Sequence, residues 1–326
     1  MNPKLMDAEQ SRQKEQTLQL EVADKRTEAE GVVSLILRSV DGSPLPPWTP
    51  GAHVDVLLGA DIVRQYSLCG EVGDGAYWRL GVLREPNSRG GSSRVHEAVQ
   101  PGQRLTVRGP RNNFSLEEAD QYLFVAGGIG ITPILPMVRQ AALMGKPWKL
   151  LYGGRSRDSM AFLEELEQID GGELLIRPQD EYGLLDLDAY LGTPEPGTLI
   201  YCCGPAPLLD AITEKCESWP AGSLHIERFV ASTRTSSEDP FVVELARSGE
   251  RITIPRYESM LDVLEQHGYD ITNSCRAGIC GTCLTDVIAG EPEHNDDVLS
   301  DEERASNKVM LPCVSRSKTD VIVIDL

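Results

Sequence analysis

The sequence predicts a multidomain protein in which an antiparallel β-barrel, an α/β domain with a parallel sheet and a small C-terminal α+β domain follow one another. The prediction rests on a run of short strands over residues 17–116, an alternation of strands and helices over 117–230, and a hairpin with a helix within 241–326. The 326 residues, of which 40% are hydrophobic, allow two or three domains with real cores.

The first segment contains six candidate strands, separated by turn-forming sequences such as DGSPLPPWTPG and PGQ. Closely spaced strands of this kind are typical of an antiparallel barrel. A short helix is expected after GGSS, ending near Val99. Residues 1–16 are polar and without a period, and we expect them to form a disordered tail. The candidate strands are TLQLEV, VVSLILRS, HVDVLL, IVRQYSL, YWRLGVL and RLTVRG.

The second segment alternates five candidate strands with helical patterns, which favours a parallel sheet with crossover helices. Helices are expected after Pro133 and over the sequences SMAFLEELEQ and PLLDAITEKCES. The sequence ASTRTSSEDP, residues 231–240, is typical of a linker. The candidate strands are YLFVAGG, WKLLYGG, ELLIRP, TLIYCCG and LHIERF.

The third segment opens with FVVELARSGERITI, which reads as a hairpin around SGE. A helix over SMLDVLEQHG follows, with Gly268 placed to end it. In SDEERAS, Ser300 and Glu303 have the spacing of a capping box. The last strand is DVIVIDL.

Four of the eight cysteines form a recognisable pattern near the end of the chain. The spacing is C-x4-C-x2-C with a fourth cysteine after 29 further residues, as in plant-type [2Fe–2S] proteins. Gly278 and Gly281 would let the backbone wrap around such a cluster. Structural zinc and buried free thiols are the alternatives, but zinc sites use paired C-x2-C knuckles. The candidate ligands are Cys275, Cys280, Cys283 and Cys313.

Two motifs in the barrel segment indicate a flavin. Arg64, Tyr66 and Ser67 lie late in a candidate strand and offer an arginine and an aromatic face. The sequence Gly90–Gly91–Ser92 opens the predicted helix, and a glycine-bearing helix start favours an anion such as phosphate.

Two motifs in the α/β segment indicate a dinucleotide. The loop GGIGITP follows a candidate strand and opens a helix, but Pro133 stands where the dinucleotide fingerprint has its third glycine. The sequence Cys203–Gly204–Pro205 ends a later strand of the same sheet, and ligands bind at the carboxyl ends of parallel strands.

The order RxYS, GGS, GGxGxTP, CGP and C-x4-C-x2-C…C resembles the phthalate dioxygenase reductase family over residues 17–326. The resemblance implies a flavin-binding barrel, an NAD-binding domain and a β-grasp ferredoxin domain. It also implies FMN rather than FAD, NADH rather than NADPH, and a [2Fe–2S] cluster. The reductases of Rieske-type aromatic oxygenases, including vanillate demethylase and carnitine monooxygenase systems, are similar in character.

The resemblance assigns a role to each motif residue. Tyr66 would stack on the flavin, Ser67 would bond near flavin N5, and Arg64 would hold the phosphate. The residues implied in the chemistry are Ser67, Cys203, Glu227 and Phe229. Further cofactor-binding residues are Val82, Leu83, Arg84, Gly90, Gly91, Ser92, Gly128, Gly130, Thr132, Cys203, Gly204 and Pro205. Cys203 would lie near the nicotinamide.

This set of cofactors predicts a function. Nicotinamide gives electrons in pairs and a [2Fe–2S] cluster accepts them singly, so a flavin must stand between them. We expect an electron-transfer reductase that passes a hydride from NADH to FMN and then single electrons through the cluster to a terminal oxygenase. A cytochrome P450 or another acceptor is an alternative. A non-enzymatic redox sensor is a further one, but it would not need a complete nucleotide-binding module.

The charge of the chain bears on its partners. A net charge of −19 argues against nucleic acid. From Glu238 to the end there are 18 acidic and 8 basic residues, so an acidic ferredoxin domain is the candidate docking surface for the oxygenase. We expect a cytoplasmic protein without a membrane segment, compatible with a monomer. Arg155, Arg157 and Asp158 leave the choice between NADH and NADPH open on residues alone.

Overall fold

A computed structural model describes residues 16–59, 62–85, 90–231 and 239–326. The chain divides into two compact units, the first ending at Glu227 and the second beginning at Arg228. The predicted tail, apart from Gln16, and most of the predicted linker lie outside the described residues. The boundary predicted within the first unit, between residues 116 and 117, stays a prediction.

The first unit begins with six antiparallel strands in the spatial order β4-β3-β6-β1-β2-β5. A bridge between Leu68 and Leu80 joins the two outermost strands and closes the sheet, which confirms the predicted barrel. The strands are β1 (Thr17–Ala29), β2 (Val32–Ser39), β3 (His53–Leu57), β4 (Val63–Ser67), β5 (Trp78–Leu83) and β6 (Arg104–Arg111).

The predicted short helix is present as α1 (Gly91–Glu97) between β5 and β6. It begins after Gly90, whose φ of 86° is in the left-handed region that favours glycine. At its other end the ammonium group of Lys25 donates to the carbonyls of Val95, His96 and Val99 at 2.7–2.9 Å. These three bonds satisfy carbonyls that the helix itself leaves without partners.

The rest of the first unit is a five-stranded sheet in which every strand pair is parallel, in the order β11-β10-β7-β8-β9. This confirms the predicted α/β architecture. The strands are β7 (Gln121–Gly127), β8 (Trp148–Gly154), β9 (Gly172–Pro178), β10 (Thr198–Cys203) and β11 (Leu224–Glu227). The helices are α2 (Ile131–Leu143), α3 (Leu163–Glu167), α4 (Gln179–Tyr182), α5 (Leu187–Leu191) and α6 (Ala206–Lys215).

One helix of this domain is shorter than the sequence predicts. The pattern SMAFLEELEQ predicts a helix from Ser159, but α3 begins only at Leu163. Phe162 has a φ of 63°, and the side chains of Met160 and Phe162 are buried in the core between the barrel and the sheet. Burial of these two side chains therefore overrides the local helical pattern.

The second unit contains a mixed sheet in the order β13-β12-β18-β14-β16, with α7 (Met260–Gln266) and α8 (Asp301–Ser306). The predicted hairpin is the antiparallel pair β12–β13, and the predicted capping box of Ser300 and Glu303 is present. Gly268 follows α7 with a φ of 87°, as expected. The strands are β12 (Phe241–Leu245), β13 (Arg251–Ile254), β14 (Thr285–Ala289), β15 (Pro292–Glu293), β16 (Val309–Met310), β17 (Arg316–Ser317) and β18 (Val321–Ile324).

In the part of the chain that the structure describes, no helix combines the length and the apolar character that crossing a bilayer requires.

Candidate functional site

The two flavin motifs of the barrel meet at one corner. Arg64 lies on β4, and its side chain crosses directly over Gly91 at the start of α1. A Cβ atom on Gly91 would stand 2.6 Å from Cγ and from Nε of Arg64, so only glycine leaves room for the arginine. The guanidinium group also donates to the carbonyl of Val63 at 2.8 Å. This corner could hold a phosphate between the arginine and the backbone of residues 90–92.

Ser67 and Tyr66 end strand β4 beside this corner. Ser67 is buried, and its hydroxyl has no hydrogen-bond partner among the described residues. A buried hydroxyl without a hydrogen-bond partner costs free energy, so a polar atom of a bound ring could stabilise it by forming that hydrogen bond. Tyr66 is half-buried, and burial raises the pKa of its phenol to about 12 although the charge of Arg64 opposes the shift. A hydroxyl and an aromatic face at the end of one strand fit a flavin ring.

Strand β5 is held against α1, and we call it the flavin-lining strand because the family resemblance implies that Val82, Leu83 and Arg84 at its end line the flavin. The carbonyl of Val82 lies 3.0 Å from Nε2 of His96, and the guanidinium group of Arg84 forms an ion pair with Glu97. Leu83, which lies between Val82 and Arg84 in the sequence, is half-buried. His96 and Glu97 escaped the sequence analysis because nothing in the local pattern connects them to a strand about a dozen residues earlier.

The dinucleotide loop and the CGP motif pack backbone against backbone at the carboxyl ends of β7 and β10. A Cβ atom on Gly130 would stand 2.2 Å from the carbonyl oxygen of Cys203 and 2.8 Å from the nitrogen of Gly204. One on Gly127 would stand 2.7 Å from Pro205. Gly128 has a φ of 55°, and its open side faces no described atom within 4 Å, so its backbone could approach a ligand closely.

Thr132 connects this loop to the barrel. Its side chain is fully buried, and its hydroxyl donates to the carbonyl of Ile129 at 2.9 Å. Its methyl group lies 2.7 Å from the point where a Cβ atom of Gly81 on β5 would stand. The dinucleotide loop is therefore in direct contact with β5, at the residue that precedes Val82.

Cys203 and Glu227 end the neighbouring strands β10 and β11, with Sγ and Oε2 4.0 Å apart. Burial, and then the charge of Glu227, raises the pKa of the Cys203 thiol well above its usual value. Burial also raises the pKa of Glu227 to about 8. As predicted, only one of the two adjacent cysteines faces this side, since Cys202 packs into the core on the other face of the sheet. Phe229 belongs to the second unit, and its position beside a flavin stays a prediction.

An ion-pair network that the sequence analysis missed joins the barrel to the α/β domain. Arg79 on β5 donates to both carboxylate oxygens of Glu165 on α3, at 2.6 and 2.9 Å. Arg139 on α2 forms a second ion pair with Glu165. Arg79 also donates to the carbonyl of Cys69 and lies over the ring of Phe162, 4.6 Å from its centre. We call Arg79, Glu165 and Arg139 the interdomain clamp.

The residues after β8 bear on the choice of nucleotide. Arg157 is paired with Glu167 at 3.2 Å. The Arg155 side chain is exposed and forms no ion pair with any described residue. Of the two arginines, Arg155 is the one whose charge is open to a ligand.

The four candidate cluster ligands are arranged as two pairs. A hydrogen bond joins the thiols of Cys275 and Cys280, which raises the pKa of Cys275 and lowers that of Cys280. A hydrogen bond also joins the thiols of Cys283 and Cys313, which raises the pKa of Cys313 and lowers that of Cys283. Within the described residues no three such ligands converge on one metal position. Two thiol pairs fit the two irons of a [2Fe–2S] cluster better than one tetrahedral zinc ion.

The loop that carries three of these cysteines is bent by left-handed residues and tied to α7. Gly278 and Gly281 both have a φ of 70°, and Arg276 has a φ of 53°. The guanidinium group of Arg276 pairs with Asp262 and Glu265 of α7 at 2.5 Å each. The amide of Ala277 donates to Sγ of Cys275 at 3.3 Å, which is the kind of N–H to sulfur bond that favours a thiolate ligand. Arg276 therefore fixes the loop from outside while backbone amides face the sulfurs.

Taken together, a phosphate corner beside an aromatic strand end, a glycine loop at the edge of a parallel sheet and two thiol pairs define a class of protein. They are the parts of a pyridine-nucleotide-dependent flavin and iron–sulfur reductase.

Comparisons with known proteins agree with this class. Residues 243–318 match the 2Fe-2S iron-sulfur cluster binding domain, and residues 124–174 match the oxidoreductase NAD-binding domain. The chain is 41% identical over 300 residues to the phenoxybenzoate dioxygenase subunit beta of Ectopseudomonas oleovorans, covering 91% of this chain and 94% of that protein. It is 40% identical over 312 residues to a vanillate O-demethylase oxidoreductase of Pseudomonas putida, covering 94% and 98%.

Several solved structures are similar over 95% of the chain. Phthalate dioxygenase reductase, described as a modular structure for electron transfer from pyridine nucleotides to [2Fe–2S], has 35% identity, a TM-score of 0.69 and 98% of its length covered. An intact type IV self-sufficient cytochrome P450 monooxygenase has 39% identity and a TM-score of 0.91, but the chain spans only 41% of it.

The chain belongs to the phthalate dioxygenase reductase-like family. It is an oxidoreductase of the electron-transfer type found as the reductase subunit of multicomponent oxygenases. The predicted family resemblance, fold and function are confirmed, and the predicted cofactors FMN, NADH and a [2Fe–2S] cluster are those of phthalate dioxygenase reductase.

Proposed function

We propose that this chain supplies electrons from NADH to the terminal component of a Rieske-type oxygenase, with FMN and a [2Fe–2S] cluster as its carriers. Flavin accepts the electron pair of a hydride and releases electrons singly, and the cluster passes one at a time. The observation that carries the proposal is the contact between Thr132 of the dinucleotide loop and Gly81 of the flavin-lining strand. The contact supports the proposal because the proposed donor and flavin sites would then lie close together, and hydride transfer requires that proximity.

The chain's own residues bind and orient these groups. Arg64 with residues 90–92 would hold the FMN phosphate, while Tyr66 and Ser67 would contact the ring. The backbone of residues 82–84 would line it. Gly128, Gly130, Thr132 and residues 203–205 would receive the nicotinamide end of NADH. Cys275, Cys280, Cys283 and Cys313 would ligate the cluster in the two pairs described above.

The Cys203 thiol and the Glu227 carboxyl would both stay protonated at the edge of the nicotinamide site. The raised pKa values of both groups leave thiol and carboxyl mostly protonated at neutral pH. A neutral surface beside the nicotinamide excludes water without placing a charge against it.

The substrates in the relatives' names suggest the partner. Phenoxybenzoate and vanillate name two of the similar proteins, so we propose that the partner oxygenase acts on an aromatic acid. The likeness to the self-sufficient P450 favours a second candidate, a P450 acceptor. NADH is the proposed donor, and Arg155, which has no ion-pair partner among the described residues, is the side chain that would hold the 2′-phosphate of NADPH.

The docking surface we propose is the acidic start of α8. Asp301, Glu302 and Glu303 are all exposed. Glu303 accepts from the Ser300 amide in the capping box, so Glu302 is the more available for a basic partner. The protein is proposed to act as a cytoplasmic monomer.

The test of the relay is an anaerobic NADH titration of the purified holoprotein, with the flavin extracted and identified. We expect the flavin and iron–sulfur absorption bands to bleach together, with about three electrons taken up per chain. Flavin bleaching without a cluster signal, and zinc bound instead, would overturn the relay. Ser67→Ala should slow flavin reduction while leaving the cluster spectrum unchanged.

The partner and the docking surface are tested with reduced protein and purified acceptors. Electrons should pass to a Rieske oxygenase faster than to a P450, and the reverse would favour the second candidate. Glu302→Lys should raise the KM for the oxygenase several-fold. Glu214→Lys makes an equal change of charge at an exposed position of α6 in the first unit, and it should leave that KM unchanged. Equal effects of the two variants would refute the α8 surface.

A further inference from the structure

A segment outside every motif touches both loops that carry the cysteines. We call residues 294–299 the brace. The amide of Asp297 donates to the carbonyl of Gly278 at 2.9 Å, and a Cβ atom on Gly278 would stand 3.1 Å from Cα of Asp296. Asn295 donates through its side chain to the carbonyl of Val314, next to Cys313, at 3.3 Å. The brace therefore lies against the loop of three cysteines and against the segment of the fourth.

The brace contains a carboxylate that is completely buried. Asp296 has no exposed surface, and its Oδ1 accepts from the amides of Val298 and Leu299 at 3.0 and 2.8 Å. The ionised form of an acid this deep in the protein requires a cation nearby.

Arg304 of α8 provides that cation. Its guanidinium group donates to Oδ1 of Asp296 at 3.2 Å, to the carbonyl of Asp296 at 2.8 Å and to that of Leu299 at 3.0 Å. His294 is the other titratable side chain beside the carboxylate, with Nδ1 3.9 Å from Oδ2, and burial lowers its pKa, which keeps it neutral. Arg304 thus carries the positive charge that balances Asp296.

This arrangement places a fixed negative charge in the low-dielectric interior beside the cluster loop and its counter-charge, 23% exposed, at the edge of that interior. Charges act over longer distances there than in water. Since a cluster gains one negative charge when it accepts an electron, a nearby anion disfavours reduction and a nearby cation favours it. Hydrogen bonds and net charge around a cluster set its reduction potential.

We propose that Asp296 and Arg304 are positioning residues that set the reduction potential of the [2Fe–2S] cluster, Asp296 lowering it and Arg304 raising it. The inference rests on the proposed cluster ligation. It requires that the two residues act with opposite sign, whereas a merely structural role would loosen the cluster in the same way whichever residue is changed.

The test measures the cluster's midpoint potential by anaerobic redox titration of the full-length holoprotein, followed by EPR of the reduced cluster. Asp296→Asn keeps the shape and an acceptor for the two amides but removes the charge, so the potential should shift positive. Arg304→Gln keeps a donor to Asp296 but removes the cation, so the potential should shift negative. The flavin potential should stay unchanged in both.

The double variant Asp296→Asn with Arg304→Gln removes both charges, and its potential should return towards that of the wild type. Asp325→Asn is the matched control, since Asp325 is also paired with an arginine of the same unit, Arg247, but at the surface. It should leave the potential unchanged.

Shifts of the same sign in both single variants, or no shift beyond that of the control, would overturn the inference. If a single variant fails to hold a cluster, the double variant distinguishes charge balance from a purely structural role of the brace. Recovery of the cluster in the double variant supports charge balance, and its loss there shows that the brace is only structural. A wild-type protein without an iron–sulfur EPR signal would instead refute the proposed function.

Discussion

Gly91 connects the two flavin motifs, because the Arg64 side chain occupies the space where a Cβ atom of Gly91 would stand. Gly91→Ala should displace Arg64 from the phosphate corner and weaken FMN binding about tenfold, which corresponds to about 1.4 kcal/mol. FMN fluorescence quenching on titration into apoprotein measures the dissociation constant.

The control is a second glycine of the barrel. Gly75 also lacks a left-handed φ, and the atom nearest to its Cβ position is 3.7 Å away, which is ordinary contact. Gly75→Ala should therefore leave FMN affinity unchanged. Equal losses in the two variants would mean that the barrel tolerates alanine poorly in general, and the role of Arg64 would be refuted.

Glu227 gives a pH dependence whose sign is fixed by its raised pKa. The folded-state pKa is about 8, against 4.5 for an ordinary glutamate. Between these values the folded protein holds a proton that the unfolded chain releases, so the contribution to stability falls as the pH rises and levels off above about 8. The Tm of the wild type minus that of Glu227→Gln should therefore decrease between about pH 5 and 8. A difference that does not change with pH would contradict the raised pKa.

At this scale the sequence predicts site residues whose type is itself the signal. The cysteines with their spacing, Arg64 with Tyr66, and the loop glycines all belong to patterns that are local in the chain. Gly81, Asp296 and Arg304 were missed because their roles arise from contacts with residues distant in sequence, such as Thr132 and Gly278. No local pattern distinguishes a glycine facing a threonine methyl group from one in an ordinary turn.

At the scale of elements, strand β5 and helices α2 and α3 are held together by the interdomain clamp. Arg79 is mostly buried, with 13% of its side chain exposed, and Glu165 has 32% exposed. Arg79→Met leaves Glu165 partly buried with one cation fewer, which should cost about 2 kcal/mol in the unfolding of the first unit. It should also slow flavin reduction by NADH, since β5 and the dinucleotide loop lose a support that keeps them aligned. Stopped-flow absorption at the flavin band measures the rate.

The same helix offers the control for this prediction. Arg157 pairs with Glu167 of α3, but both side chains are about half exposed, at 53% and 49%. Arg157→Met should therefore change neither stability nor the rate of flavin reduction. A fall in the rate for both variants would show that α3 itself, rather than the clamp, governs the alignment.

The elements themselves were largely predictable. Most strands of the barrel and of the parallel sheet fall where the alternation of apolar residues and turn residues places them, although β1 runs seven residues beyond the predicted TLQLEV. The capping box of Ser300 and Glu303 correctly predicted the start of α8. The predicted start of α3 at Ser159 was wrong, because Phe162 has a left-handed backbone conformation that is stabilised by burial of its side chain against the barrel. The short helices α4 and α5 carry too few periodic residues to be recognised from sequence.

At the scale of the whole molecule, the flavin and nucleotide motifs lie in the first compact unit and the thiol pairs in the second. Cys280→Ser should therefore abolish the cluster signal and electron transfer to the oxygenase, yet leave NADH-dependent reduction of ferricyanide by the flavin within about twofold of the wild type. Cys216→Ala, which alters a thiol in the core of the first unit, should keep both activities. Loss of flavin reduction in Cys280→Ser would show that the units do not function separately.

The distribution of charge should make electron transfer to the partner oxygenase sensitive to salt concentration. Flavin reduction by NADH takes place within one chain and should not be sensitive to it. The chain carries −19 overall, and the second unit is rich in exposed acids such as Asp301 and Glu302. Attraction to a basic oxygenase surface is screened as the Debye length falls from about 30 Å at 0.01 M to about 8 Å at 0.15 M salt. The second-order rate constant for oxygenase reduction should fall about tenfold over this range, while flavin reduction at saturating NADH stays constant. A rate constant that rises or stays level with salt would mean that apolar contact, and not the acidic surface, brings the two proteins together.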